Sequence, residues 1–187
     1  MVATLLVWGW ANRDSGYPPE PITPESIARA EEDMRPRGSF EDALARGDQL
    51  FAVLQNVIGG LEPGIQFHPR ITGEITDCGG SYGAAGGRES KYRSSDGTPT
   101  LASDNWREVN DRSIAAAAEA GIELVPIRED DPVWLNQVAL ETPDGGFEIT
   151  IFNTSHDHAD GERTVIAMVV KCHLPADKLN SPVKPTK

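Results

Sequence analysis

The segment Thr164-Val-Ile-Ala-Met-Val-Val-Lys-Cys172 limits the fold more than any other stretch of the chain. Successive residues of a strand point to opposite faces. Here Val165, Ala167 and Val169 take one face and Ile166, Met168 and Val170 the other, so neither face is polar. A strand of that kind belongs in the middle of a sheet.

The partners of this strand are expected from 65–76, from 122–127, and from a hairpin. The hairpin is the clearest local signal: Trp134 to Leu140, the turn Pro143-Asp-Gly-Gly146, then Phe147 to Phe152. Helices come earlier. Thr23-Pro24-Glu25 combines a hydroxyl cap, a first-turn proline and an early acid. Ile27, Ala30 and Met34 then share one face, and Pro36 and Gly38 end the helix. Ser39 caps a second helix whose stripe is Leu50, Phe51, Leu54, Val57, Ile58 and Leu61, with Gly59-Gly60 expected to fray its end. Ser103-Asp104 caps a third, which Gly121 stops. Helices first and strands last predict an α+β fold: N-terminal helices packed on one face of a mostly antiparallel sheet, in a single domain. The glycine-rich run 79–87 reads as a flexible loop. It lacks the Lys-Ser/Thr of a phosphate-binding P-loop.

With 29 acidic against 17 basic residues the net charge is −12. This argues against nucleic acid or anionic lipid as a charge-driven partner. Val2 to Ala11 is apolar but shorter than the ~20 residues a membrane span needs. It has the length of a signal-peptide core, without the basic start such a peptide needs. An upstream start and an ordinary N-terminal strand both remain open. Leu6-Val7-Trp8-Gly9-Trp10 favours a signal remnant, because it is similar to a lipoprotein processing site. The lipid-accepting cysteine is replaced by Trp10, so the chain cannot be lipidated there. Asn12 to Pro24 is proline-rich and reads as a tether.

Only two cysteines occur, Cys78 and Cys172, 94 positions apart and outside any CxxC motif. In a cytosolic protein they would be buried thiols, and in an exported one a disulfide. Export predicts the bridge, which would add roughly 4–5 kcal/mol in the chain-entropy model.

Met34-Arg-Pro-Arg-Gly-Ser-Phe-Glu-Asp-Ala43 resembles the segment that opens the long helix in mycobacterial LppA/LppB-type lipoproteins. The resemblance continues at Asp77-Cys78-Gly79, at Cys172, and at Leu174-Pro-Ala-Asp177, over roughly residues 25–182 in order of elements. It implies an actinobacterial envelope lipoprotein of unassigned activity, membrane-anchored or secreted. The expected organisation is a signal remnant and tether over 1–22, an LppA-like domain over 23–176 and a flexible tail over 177–187.

Four features carry candidate chemistry. His156-Asp157-His158 with Asp160 can be read as a metal cluster, but a polar turn uses the same residues. The glycine-rich loop 79–87 invites a phosphate-binding reading, against that of a mobile loop tied at Cys78. No Gly-x-Ser-x-Gly elbow marks a nucleophile, and Ser81 and His173 each lie beside a cysteine. Trp106, Trp134, Tyr82 and Tyr92 can line a cleft, with Tyr82 and Tyr92 the better candidates for an exposed recognition surface. The expectation is a non-catalytic envelope domain, with no cofactor and no resident metal. Its partner would be an envelope protein, lipid or glycan, not nucleic acid, with membrane contact only through an N-terminal anchor. Two alternatives are a metal-assisted hydrolase built on His156 and His158, and an exclusion or immunity protein carried by a mobile element.

Overall fold

The computed structural model describes residues 21–102, 104–127, 137–154 and 161–181. Helix α1 (Pro24–Met34) begins in a reciprocal cap: the Thr23 side chain accepts from the Ser26 amide, and the Ser26 hydroxyl accepts from the Thr23 amide. A single 3-10 turn, Arg35–Arg37, leads into α2 (Phe40–Leu61), where the Ser39 hydroxyl accepts from the Asp42 amide. Phe40, Ala43, Gly47, Leu50, Leu54 and Ile58 are the buried residues of α2, spaced three or four apart along one face. Gly59 and Gly60 do not fray the helix, which continues through both to Leu61.

Strand β1 (Gln66–Asp77) is followed by a short helix, α3 (Gly80–Ala84), and β2 (Arg88–Thr98). Helix α4 (Trp106–Glu119) precedes β3 (Val125–Pro126), β4 (Gln137–Glu141), β5 (Phe147–Asn153) and β6 (Thr164–His173). Helix α5 (Ala176–Leu179) closes the described chain. The six strands form one sheet in the order β1-β2-β6-β5-β4-β3, and every described ladder is antiparallel. The doubly apolar strand β6 lies inside the sheet, as its sequence predicts.

Register explains the core. Ile149 lies opposite Met168, Ile151 opposite Ile166, and Phe147 opposite Val170. On the other side of β5, Val138 faces Ile151 and Leu140 faces Ile149. Directly opposed residues share a face, so these apolar side chains form one slab. All eight are buried, and α2 and α4 cover them with Leu50, Leu54, Ile58, Trp106, Val109 and Ala117. Gly47 lets α2 approach β6: a Cβ there would stand 2.8 Å from Met168 Cε.

Several expectations shift. The strand expected over 122–127 shrinks to Val125–Pro126. Helix α4 starts at Trp106 behind Asn105, two positions past Asp104. The tail expected to be loose from 177 begins instead within α5, where the Arg35 guanidinium donates to the Leu179 carbonyl at 3.0 Å. The largest departure is β2, which no apolar pattern announces.

Candidate functional site

The features that the sequence leaves scattered converge where β1 and β6 end and β2 begins, beside α1. Cys78 and Cys172 are joined in a disulfide with their Cα atoms 6.0 Å apart. Cys78 is buried, and its amide donates to the Gly87 carbonyl at 3.0 Å, closing the glycine-rich segment into a loop. That segment is a helix packed on α1 rather than a flexible loop. The Ser81 hydroxyl donates to the Ser26 hydroxyl at 2.7 Å, and the Tyr82 hydroxyl donates to Asp33 Oδ2 at 3.1 Å.

Gly83 and Gly87 allow close approach. A Cβ on Gly83 would sit 2.0 Å from the Cys78 carbonyl oxygen, and one on Gly87 would sit 2.6 Å from Met34 Sδ. The obstacle at Gly83 is backbone, which cannot swing away. Gly83→Ala should therefore displace α3 and cost about 1–3 kcal/mol. Urea denaturation checks the loss, and faster proteolysis within 79–87 checks its location.

The Tyr82 phenol is pushed above its ordinary pKa, first by partial burial and then by its bond to the Asp33 carboxylate and that group's charge. Tyr82 therefore stays a neutral donor, held at the edge of an acidic helix that also carries the exposed Glu25 and Glu32.

A second group of polar residues backs this end. His173, the last residue of β6, is fully buried. Its Nδ1 lies 2.7 Å from the Lys171 carbonyl, its Nε2 has no hydrogen-bond partner among the described residues, and its ring packs against Phe147 with centroids 6.1 Å apart. Arg37 donates to the Cys172 carbonyl at 3.0 Å. In the β4–β5 turn, Asp144 Oδ1 accepts from the Thr142 hydroxyl at 2.6 Å and from the Gly146 amide at 2.9 Å. Burial works to raise the Asp144 pKa, but those two bonds and the positive potential of His173 and Arg37 outweigh it, so the net shift is downward.

Burial likewise pushes the His173 imidazole below its ordinary pKa, and the Arg37 and Arg46 charges add to this. The Lys171 carbonyl and Asp144 oppose the shift without reversing it. A lowered folded pKa means the unfolded chain takes up the proton first. The stability conferred by neutral His173 is therefore full above pH 6.5 and declines as pH falls from there through the folded value. The urea midpoint should drop between pH 7.5 and pH 5.5, and His173→Phe should flatten that dependence. An equal drop in both proteins would assign the effect to another group.

Other candidate residues fare differently. Trp106 lines no cleft: it is 2% exposed, in the core under α4. Tyr92 lies on β2 within the register shift between Ser90 and Arg93, and its side chain is outside the described residues. Trp134, His156, His158 and Asp160 also lie outside them. Ser81 and His173 are not paired as a nucleophile and base, since each is bonded elsewhere. Sequence reasoning passed over Arg37, Asp144 and Glu89. Only their proximity to the cysteines or to a turn could have singled them out. An open groove of ≈ 580 Å³ also runs between α2 and α4, lined by Val53, Val57, Arg112, Ala116, Glu119 and Ala120. No helix among the described residues is long and apolar enough to cross a membrane.

Comparison with known proteins adds a family. Residues 16–176 match the LppA family model, described as a lipoprotein confined to pathogenic Mycobacterium. The match includes both cysteines. A crystal structure of the lipoprotein LppA from Mycobacterium tuberculosis shares the fold with a TM-score of 0.52 at 13% sequence identity, covering 87% of this chain and 94% of that one. No curated protein matches the chain.

Proposed function

Since the chain belongs to the LppA family of envelope-associated lipoproteins, we propose that it is a non-catalytic recognition domain working outside the cytoplasmic membrane. The proline-rich segment before α1 would act as its tether. The observation that carries this reading is the clasp at Cys78–Cys172, which holds α3 and its Tyr82 against the acidic face of α1. A disulfide persists in an oxidising compartment and is lost in a reducing one, so the clasp suits an exported domain.

Tyr82 offers an aromatic body and a hydroxyl already oriented by Asp33. Such a side chain can stack on a sugar ring or an apolar residue while its neighbours bind polar groups. The net charge of −12 turns the domain from anionic surfaces towards a neutral or basic protein or glycan partner. Tyr92, nearby in sequence on β2, is proposed as part of the same surface.

Intact-mass analysis with and without alkylation, on chain recovered from fractions of a native host, tests the address. A bridged pair in the envelope or medium is expected, and free Cys78 and Cys172 on cytosolic chain would sink the reading. Photo-crosslinking from Ala84, exposed on the same helix as Tyr82, tests the surface. A specific adduct abolished by Tyr82→Ala is expected, and an adduct indifferent to Tyr82 would move recognition elsewhere.

A further inference from the structure

The geometry points to a second state of the clasp: once the disulfide is reduced, Cys78, Cys172 and Glu89 form a three-ligand site for zinc or a similar divalent cation. The two sulfurs and a Glu89 carboxylate oxygen all lie within 4.8 Å of one another. Three neighbouring strands supply them. Cys78 directly follows β1, Glu89 is the second residue of β2, and Cys172 is the last but one of β6, with β2 between the other two.

Backbone hydrogen bonds join these positions alongside the disulfide, although the β2–β6 ladder is interrupted between Arg88 and Ser90. Thr76 pairs with Glu89, Arg88 pairs with His173, and the Cys78 amide bonds the Gly87 carbonyl. When the sulfur–sulfur bond is broken, these pairings are what keeps the three ligands on neighbouring strands. Two thiolates in a tetrahedral zinc site stand roughly 3.8 Å apart, given Zn–S bonds of about 2.3 Å. Rotation about the cysteine side chains supplies that separation.

Glu89 is already positioned by its neighbours. Its side chain is 17% exposed, Lys91 Nζ stands 2.9 Å from it, and the Thr76 hydroxyl donates to it at 3.4 Å. Such partners orient a metal-bound carboxylate and keep its second oxygen satisfied. Three protein ligands leave the fourth position to water. This differs from the His156/His158 reading in both place and ligand chemistry. It is also independent of the recognition role, which uses the bridged form.

The chemistry balances. A dithiol reductant gives two electrons and two protons to the disulfide and becomes a disulfide itself, leaving two cysteine thiols. Binding of the cation then releases both thiol protons and forms two metal–sulfur bonds. Reoxidation would expel the ion, so the site is a redox-gated one.

The test uses the full chain, reduced with a phosphine, desalted without oxygen and titrated first with Co²⁺ and then with Zn²⁺. One equivalent of cobalt should produce thiolate charge-transfer absorption in the near ultraviolet, and zinc should displace it. Oxidised chain should show neither. Glu89→Gln should weaken zinc binding more than about tenfold, while Glu74→Gln, exposed on β1, should leave it unchanged. Affinity should fall with pH as the thiols reprotonate. Circular dichroism accompanies the titration: a reduced chain that has lost structure should regain it with zinc. The inference is overturned by less than stoichiometric uptake, by equal uptake on oxidised chain, by Glu89→Gln binding as tightly as the parent, or by an unfolded reduced chain that zinc does not restore.

Discussion

Replacing Cys78 and Cys172 together by serine should remove about 4–5 kcal/mol of stability and lower the melting temperature by roughly 8–20 °C. The bond spans 94 positions, so its loss frees a long loop in the unfolded chain. It also fastens the end of β1 to β6 across β2, where ladder pairing is interrupted between Arg88 and Ser90. The double replacement leaves no unpaired thiol to form wrong bonds. Guanidinium denaturation and calorimetry of both proteins measure the change. Damage should centre on α3, with Tyr82 leaving Asp33 and proteolysis rising at 79–87. A loss below about 1 kcal/mol would mean that packing of α3 on α1 holds this end without the bond.

Phe147→Ala should cost about 3–5 kcal/mol, the usual range for emptying a large aromatic site in a core. Phe147 is 1% exposed. It faces Val170 across the ladder, and the Arg46 guanidinium lies 5.6 Å above its ring. Gly47 brings α2 so near that a Cβ there would be 3.6 Å from the Phe147 ring. The helix therefore has little freedom to settle into the space. A second consequence separates this site from a generic cavity. Phe147 packs against the His173 ring, so its removal admits water and should bring the His173 pKa back up towards 6.5. Urea midpoints measure the first effect and an NMR titration of His173 the second. A loss under about 1.5 kcal/mol with the His173 pKa unmoved would show that Arg46 and Met168 close over the gap.

Local signals account for much of the architecture. Thr23 and Ser39 cap the helices their positions announce, because capping needs only a short polar side chain and the next three amides. The hairpin around Pro143-Asp-Gly-Gly146 forms as its turn chemistry predicts, with Asp144 bonded to the Gly146 amide. Strand β6 takes an interior place because two apolar faces leave it no stable edge position.

Strand β2 shows why the rest was hidden. Arg88-Glu-Ser-Lys-Tyr-Arg-Ser-Ser-Asp-Gly-Thr98 has neither apolar alternation nor a buried aliphatic residue. It lies between β1 and β6 because its polar groups find partners there that are remote in sequence. Ser95 accepts from Gln55 on α2 and donates to the His68 carbonyl on β1. Asp96 is held between Arg70 and Arg163. A buried polar strand is stable when most of its groups are paired, as Asp96 Oδ2 is with both arginines, and no local pattern records a partner tens of residues away. The same holds for the site: Glu89, Arg37 and Asp144 are unremarkable in sequence and gain meaning from what stands beside them.

The sequence by itself determined the elements whose causes are local: capped amphipathic helices, the β4–β5 turn, an interior strand, an acidic chain and two cysteines. Tertiary structure decided what depends on contact at a distance. It gave a polar strand a central place, turned a glycine run into a helix pressed against α1, and brought Glu89 beside the two cysteines. Periodicity and capping act within a few residues, whereas polar satisfaction and close approach act through space.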